Sequence, residues 1–214
     1  MRGTIAPTLS SLSGPAAEPG TDPALRAPGS PGTLQLLAVG SVVPRKGYDI
    51  LVRALEQVAV TVPWELTIAG ATDRSPETTA AIETQIARSP LAPRIRMIGG
   101  LSEHALGDVY ARSDVLVLSS LYEGYGMVLA EAMARGLPIV CTTGGAAAET
   151  APDAAAIKVP PGDQGALTAA IGRLLDEPAL RRSLADASWA AGQKLPRWED
   201  TARTIAGVIK ELAP

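Results

Sequence analysis

Asp114-Val-Leu-Val-Leu118-Ser-Ser-Leu-Tyr-Glu123-Gly-Tyr-Gly-Met127-Val-Leu-Ala-Glu131-Ala-Met-Ala-Arg-Gly136-Leu-Pro-Ile-Val-Cys-Thr142 decides the fold. Residues 114–118 carry an apolar, β-branched run too short for a helix, the pattern of a buried strand. Residues 127–135 read as a helix that Gly136 stops, and residues 138–142 return to the strand pattern. A strand, a crossover helix and a second apolar strand make a βαβ unit, which requires parallel strands covered on both faces.

The same alternation extends in both directions. Upstream, residues 34–39 form an apolar run ending at Gly40, and residues 46–60 carry a helical stripe of Ile50, Leu51, Ala54, Leu55 and Val58. A strand is predicted over 64–69, a helix over 76–89 opened by Ser75 and Pro76, a strand over 94–98, and a helix over 102–112 capped by Ser102. Downstream, residues 154–159 read as a last short strand, followed by helices over 163–175, 178–193 and 198–212. Residues 1–33 are rich in Pro, Gly, Ala, Ser and Thr without periodicity, and read as a flexible arm or linker remnant. The expected architecture is therefore α/β: one Rossmann-like, doubly wound parallel sheet over residues 34–214 with C-terminal helices.

Composition bounds the chemistry. The chain has 214 residues and a formal net charge of −3, which argues against nucleic-acid binding through a basic face. Hydrophobic residues make up 46% of it, enough for a sizeable core, but with no Phe that core is aliphatic. The single cysteine, Cys141, permits no intrachain disulfide and fits a reducing, cytoplasmic setting. No apolar run approaches a membrane span and no signal peptide is apparent at Met1. One histidine, His104, excludes a histidine-rich metal site and reads as a surface residue at a helix start.

In doubly wound sheets ligands bind beyond the carboxyl ends of the strands, so the loops after residues 39, 69, 98, 118 and 140 are the places to search. Arg45 and Lys46 precede a helix, where the dipole already disfavours cations; either they face an anion or they are a solvated pair. Gly99 and Gly100 after Ile98 let a flat ligand approach the backbone or simply make a tight turn. The segment Glu123-Gly-Tyr-Gly-Met127 is more specific. Gly124 and Gly126 allow dihedrals that turn successive amides toward an anion, and the following helix adds its free N–H groups and dipole. Glu123 lies just outside that helix and Glu131 one turn inside it, so two carboxylates bracket a phosphate cradle and can accept from sugar and ribose hydroxyls. The plainer reading is a dipole-favoured acid plus a surface Glu, which the apolar setting of Glu131 disfavours. Cys141, at a strand end, reads as a small core residue.

The segment from Glu123 to Val140 resembles the Glu-x7-Glu pattern of retaining GT-B-fold glycosyltransferases of the family-four, group 1 type. Matches continue at Val39-Gly-Ser-Val-Val-Pro-Arg-Lys-Gly47, Leu66-Thr-Ile-Ala-Gly70, Ile98-Gly99, Tyr110-Ala-Arg-Ser-Asp114, Gly144-Gly145 with Glu149, Pro160-Pro-Gly-Asp163 and Trp198. The resemblance covers about residues 34–214 and implies the C-terminal, donor-binding half of the GT-B fold. By position it implies that Lys46 and Arg45 hold the donor diphosphate and that Gly124, Tyr125, Gly126 and Met127 contact phosphate and sugar. Glu123 would bind the sugar as the catalytic residue, Glu131 the ribose diol, and the backbone at Ile98 and Gly99 would face the base. It further implies a nucleotide-diphosphate sugar as donor substrate and no tightly bound cofactor or metal. A separate N-terminal acceptor domain or subunit is the expected partner, with peripheral membrane association where the acceptor is a lipid. Ser41 stands where the family often has Arg, and Arg45 is a candidate to replace that charge.

About 33 residues precede the donor domain, with Glu18-Pro-Gly-Thr-Asp22 resembling the end of an acceptor domain, so the chain reads as a truncated product, a fragment or half of a split enzyme. The expected function is donor binding for retaining glycosyl transfer. The alternative is a non-catalytic nucleotide-sugar-binding or partner subunit. A GT-B-fold epimerase is disfavoured by the single histidine.

Overall fold

Six strands alternate with helices in a computed structural model that describes residues 32–195 and Ala206. In chain order they are β1 (Leu34–Val39), α1 (Tyr48–Glu56), β2 (Trp64–Ala69), α2 (Pro76–Arg88), β3 (Ile95–Met97), α3 (Glu103–Ala111), β4 (Val115–Leu118), α4 (Met127–Met133), β5 (Ile139–Thr142), α5 (Ala147–Thr150), β6 (Ala156–Val159), α6 (Gln164–Asp176) and α7 (Pro178–Gly192). The strands form one sheet in the order β3-β2-β1-β4-β5-β6, and every pairing is parallel. This is the Rossmann-like, doubly wound arrangement expected from the sequence. The chain winds outward from β1 through β2 and β3, then returns to the other side of β1 with β4. The crevice between the loops after β1 and β4 is thus the topological switch point.

The period-two geometry of strands explains why an unbroken apolar run suits β4. Val115 and Val117 join Leu36, Leu66, Leu51, Leu55 and Ile171 on one face, beneath α1, α2 and α6. Leu116 and Leu118 join Leu37, Ile139, Cys141, Tyr110 and Leu129 on the other, beneath α3 and α4. Burying a Leu or Val side chain of this kind contributes about 1.5–3 kcal/mol, so both faces are needed to hold the sheet.

Several expected boundaries move, each for a local reason. The helix predicted over 46–60 begins at Tyr48, because Pro44–Lys46 is a separate 3-10 turn and Gly47 takes the left-handed conformation at φ 61°. The strand predicted over 94–98 shortens to Ile95–Met97, since residues Ala92–Arg94 form another 3-10 turn. The strand expected over 154–159 begins at Ala156, and a short helix, α5, precedes it where the sequence pattern gives no helical stripe. Ser102 caps α3 by accepting from the Ala105 N–H at 3.3 Å. The expected arm over residues 1–33 lies outside the described residues but for its last two, and the expected helix over 198–212 lies outside them but for Ala206. Among the described residues no helix is long and apolar enough to cross a membrane.

Candidate functional site

Two loops meet at the switch point. The first follows β1, where the 3-10 turn lays the Lys46 side chain against Gly40 and buries it to 5% exposure. The second follows β4 and carries Glu123, which is 7% exposed. Across the crevice the Lys46 ammonium donates to Glu123 Oε1 in a short ion pair. Ser120, fully buried, donates its Oγ–H to the same oxygen at 2.6 Å. Arg45, half exposed, stands 3.7 Å from that oxygen and donates to the Tyr122 carbonyl at 3.2 Å. Both cations thus face an anion within the chain, Glu123.

Backbone contacts lock the two loops in place. The Leu121 N–H donates to the Arg45 carbonyl at 2.7 Å, and Ser119 Oγ donates to the Lys46 carbonyl at 2.9 Å. The Glu123 N–H donates to the Gly144 carbonyl at 3.0 Å, and its own carbonyl accepts from Ala146 at 2.9 Å. Gly145 must be glycine here: its φ is 67°, and a Cβ would stand 2.2 Å from the Glu123 carbonyl oxygen. The pair Gly144-Gly145 thus positions Glu123 from the loop after β5.

Burial by itself would raise the Glu123 carboxyl pKa. Hydrogen bonds from Lys46 and Ser120, with the charges of Lys46 and Arg45, outweigh that and hold it below its ordinary value. A carboxylate whose pKa is lower folded than unfolded stabilises the fold above its unfolded value, and this contribution is lost as pH falls through the folded value. Melting temperature is therefore expected to fall as pH drops below the ordinary value of 4.5. Lys46→Met should flatten that limb of the profile; parallel limbs in the two proteins would count against the assignment.

Of the two glycines after Glu123, only Gly126 takes a left-handed conformation, at φ 79°, as the residue that opens α4. Gly124 needs no such freedom, contrary to the sequence expectation, because the turn into the helix is made at Gly126 alone. The N–H groups of Leu129 and Ala130 return to the Gly126 carbonyl, at 2.8 and 3.3 Å. Those of Met127 and Val128 have no backbone acceptor among the described residues, and such N–H groups suit an anion. Tyr125 is 71% exposed at the rim.

The remaining expected residues are more dispersed. Glu131 lies on α4, where its Oε2 accepts from the Tyr110 O–H at 2.8 Å. Ile98 and Gly99 leave β3 two strands away from the Lys46 pair; the Gly99 carbonyl accepts from the Gly70 N–H at 2.8 Å. Gly40, Ser41, Gly70, Gly100 and Leu101 line a cleft of about 260 Å³ between that edge and the switch point. Cys141 is buried in the core and its thiol is pushed up to about 11 by desolvation, which fits its reading as an inert packing residue. His104 is exposed on α3. Sequence reasoning missed Ser120 and Tyr110 as partners of the two acids. The only signal for them was their place within or beside the quoted motifs.

A six-stranded, Rossmann-like parallel sheet with flanking helices matches one half of a GT-B-type fold. The chain belongs to the glycosyl transferases group 1 family, whose sequence pattern matches residues 26–189. It is 33% identical over 183 residues to the MMP alpha-(1->4)-mannosyltransferase of Mycolicibacterium hassiacum, covering 84% of this chain and 44% of that protein. Among solved structures it resembles the sucrose-phosphate synthase of Thermosynechococcus elongatus, with TM-score 0.75 and 31% identity over 84% of this chain and 45% of that one. The fold also matches Anabaena Alr3699/HepE, crystallised in complex with UDP and glucose, with TM-score 0.75 and 21% identity over 84% of this chain and 49% of that one. The chain thus spans about half the length of the relatives it matches.

Proposed function

We propose that this chain binds a nucleoside diphosphate sugar as the donor in retaining glycosyl transfer, with the acceptor held by a separate domain or subunit. The observation that carries the reading is the meeting of Lys46 and Arg45 with Glu123 in the loop that leads into α4, whose Met127 and Val128 amides have no backbone acceptor among the described residues. Cations and helix amides together match a diphosphate, and they stabilise the same group as it leaves. An ammonium has three donors, so Lys46 can serve a phosphate oxygen while keeping Glu123. Glu123, held ionised, accepts from hydroxyls of the donor sugar. Gly124, Tyr125 and Gly126 line the sugar and phosphate. Glu131 accepts from the ribose diol, and the backbone at Ile98 and Gly99 faces the base. The UDP and glucose bound by the Anabaena protein of the same fold support this class of ligand.

Calorimetric titration with UDP and GDP tests the reading. One of the two is expected to bind, and Glu131→Ala to weaken it about tenfold, the scale of hydrogen bonds to a charged group. Absence of binding by both nucleotides would sink the donor assignment. Binding without any donor turnover, even beside an acceptor-binding partner, would leave a binding subunit in place of an enzyme.

A further inference from the structure

Tyr110 sits at the end of α3 in the Tyr110–Asp114 motif, and the donor assignment above leaves it unused. It is 1% exposed, although its phenol is polar. The O–H is satisfied by Glu131 Oε2 at 2.8 Å. The ring is covered by the Arg135 guanidinium, 4.7 Å from its centroid, and Arg135 in turn donates to the Glu131 carbonyl at 3.1 Å. Glu131 is therefore held from two directions, at its carboxylate by Tyr110 and at its backbone by Arg135. Oε1 of Glu131 has no donor among the described residues. Helical side chains lean toward the helix N-terminus. Glu131 stands one turn along α4 from Met127, whose N–H, like that of Val128, has no backbone acceptor among the described residues. Burial and the neighbouring Glu131 raise the phenol pKa well above its ordinary value, so the group remains a donor across the working range.

We propose that Tyr110 is a positioning residue for nucleotide recognition: by holding Oε2 of Glu131 it fixes the carboxylate so that Oε1 meets the ribose diol. This rests on the assignment of the ribose to Glu131. Without the phenol, a half-buried carboxylate rotates among rotamers and must be ordered each time a ligand binds. Tyr110 then selects for ribose over deoxyribose without touching the ligand.

The test uses ligands that differ only in the diol. UDP or GDP, whichever binds tighter, and its 2′,3′-dideoxy counterpart are titrated into the wild type, Tyr110→Phe and Glu131→Ala. The wild type is expected to prefer the ribonucleotide about tenfold. Tyr110→Phe keeps the ring under Arg135 and is expected to cut that preference to about twofold. It does so by weakening the ribonucleotide, with little change for the dideoxy form. The preference is a ratio within one preparation, so a loss of folded protein scales both affinities alike. Tyr110→Leu also lacks the hydroxyl and should give the same narrowing. A Tyr110→Phe protein that melts lower but retains the full wild-type preference overturns the proposal. Glu131→Ala separates the two layers. If it leaves the preference intact, the ribose assignment itself fails. If it abolishes the preference while both Tyr110 variants keep it, only the role of Tyr110 fails.

Discussion

Lys46→Met should weaken binding of a nucleoside diphosphate by about a hundredfold or more, the scale of losing two charge-assisted hydrogen bonds at a buried site. Methionine keeps the aliphatic packing against Gly40, so the loss falls on the charge. The same change leaves Glu123 buried with only Ser120 and the more distant Arg45 as partners. Removing one member of a buried ion pair costs about 3–5 kcal/mol when nothing replaces it. Arg45, at 3.7 Å, should hold the loss near the lower end of that range. Chemical denaturation and calorimetry on one preparation read both effects. An affinity within threefold of wild type would remove Lys46 from the diphosphate site, whatever the stability change.

The second large effect is opposite in character. Glu123→Gln should lower turnover of the nucleotide sugar by about a hundredfold to a thousandfold, the scale of losing one preorganised electrostatic contact at a reacting centre. Binding of the nucleoside diphosphate alone should hold or tighten. The carboxamide still accepts from Lys46 and Ser120, so the loops stay closed. A negative charge has left the neighbourhood of a negative ligand, and Lys46 is freer to serve phosphate. Turnover is measured as donor hydrolysis, or as transfer with an acceptor-binding partner present. Equal losses in binding and turnover would instead make Glu123 a support for the loop, with no separate part in the chemistry. Together the two variants divide the pair: Lys46 serves the diphosphate, and Glu123 serves the sugar.

These outcomes turn on contacts whose legibility in the sequence was uneven. The bounds of β1 and β2 match the expected 34–39 and 64–69, β1 as a mostly apolar run and β2 as an alternation of apolar and polar residues. The apolar stripe begins only at Ile50 and leaves the start of α1 open; the left-handed turn at Gly47 sets it at Tyr48. Glycine at 124 and at 126 looked equivalent on paper. Only Gly126 carries the positive φ, because only one residue is needed to turn the loop into α4.

The succession of strands and helices along the chain, the loops that bear charge and glycine, and the identity of the acids and cations were all determined by the sequence alone, because they depend on local periodicity and on which residues follow each strand. The pairings were not. Lys46 reaches Glu123 across 77 residues and Tyr110 reaches Glu131 across 21, and neither distance carries a periodic signal. Only the tertiary structure brings them together. The parallel sheet places β1 beside β4, and the crossovers bring the loops after those two strands to one edge. There the low dielectric of a buried crevice converts two ordinary surface charges into a coupled pair.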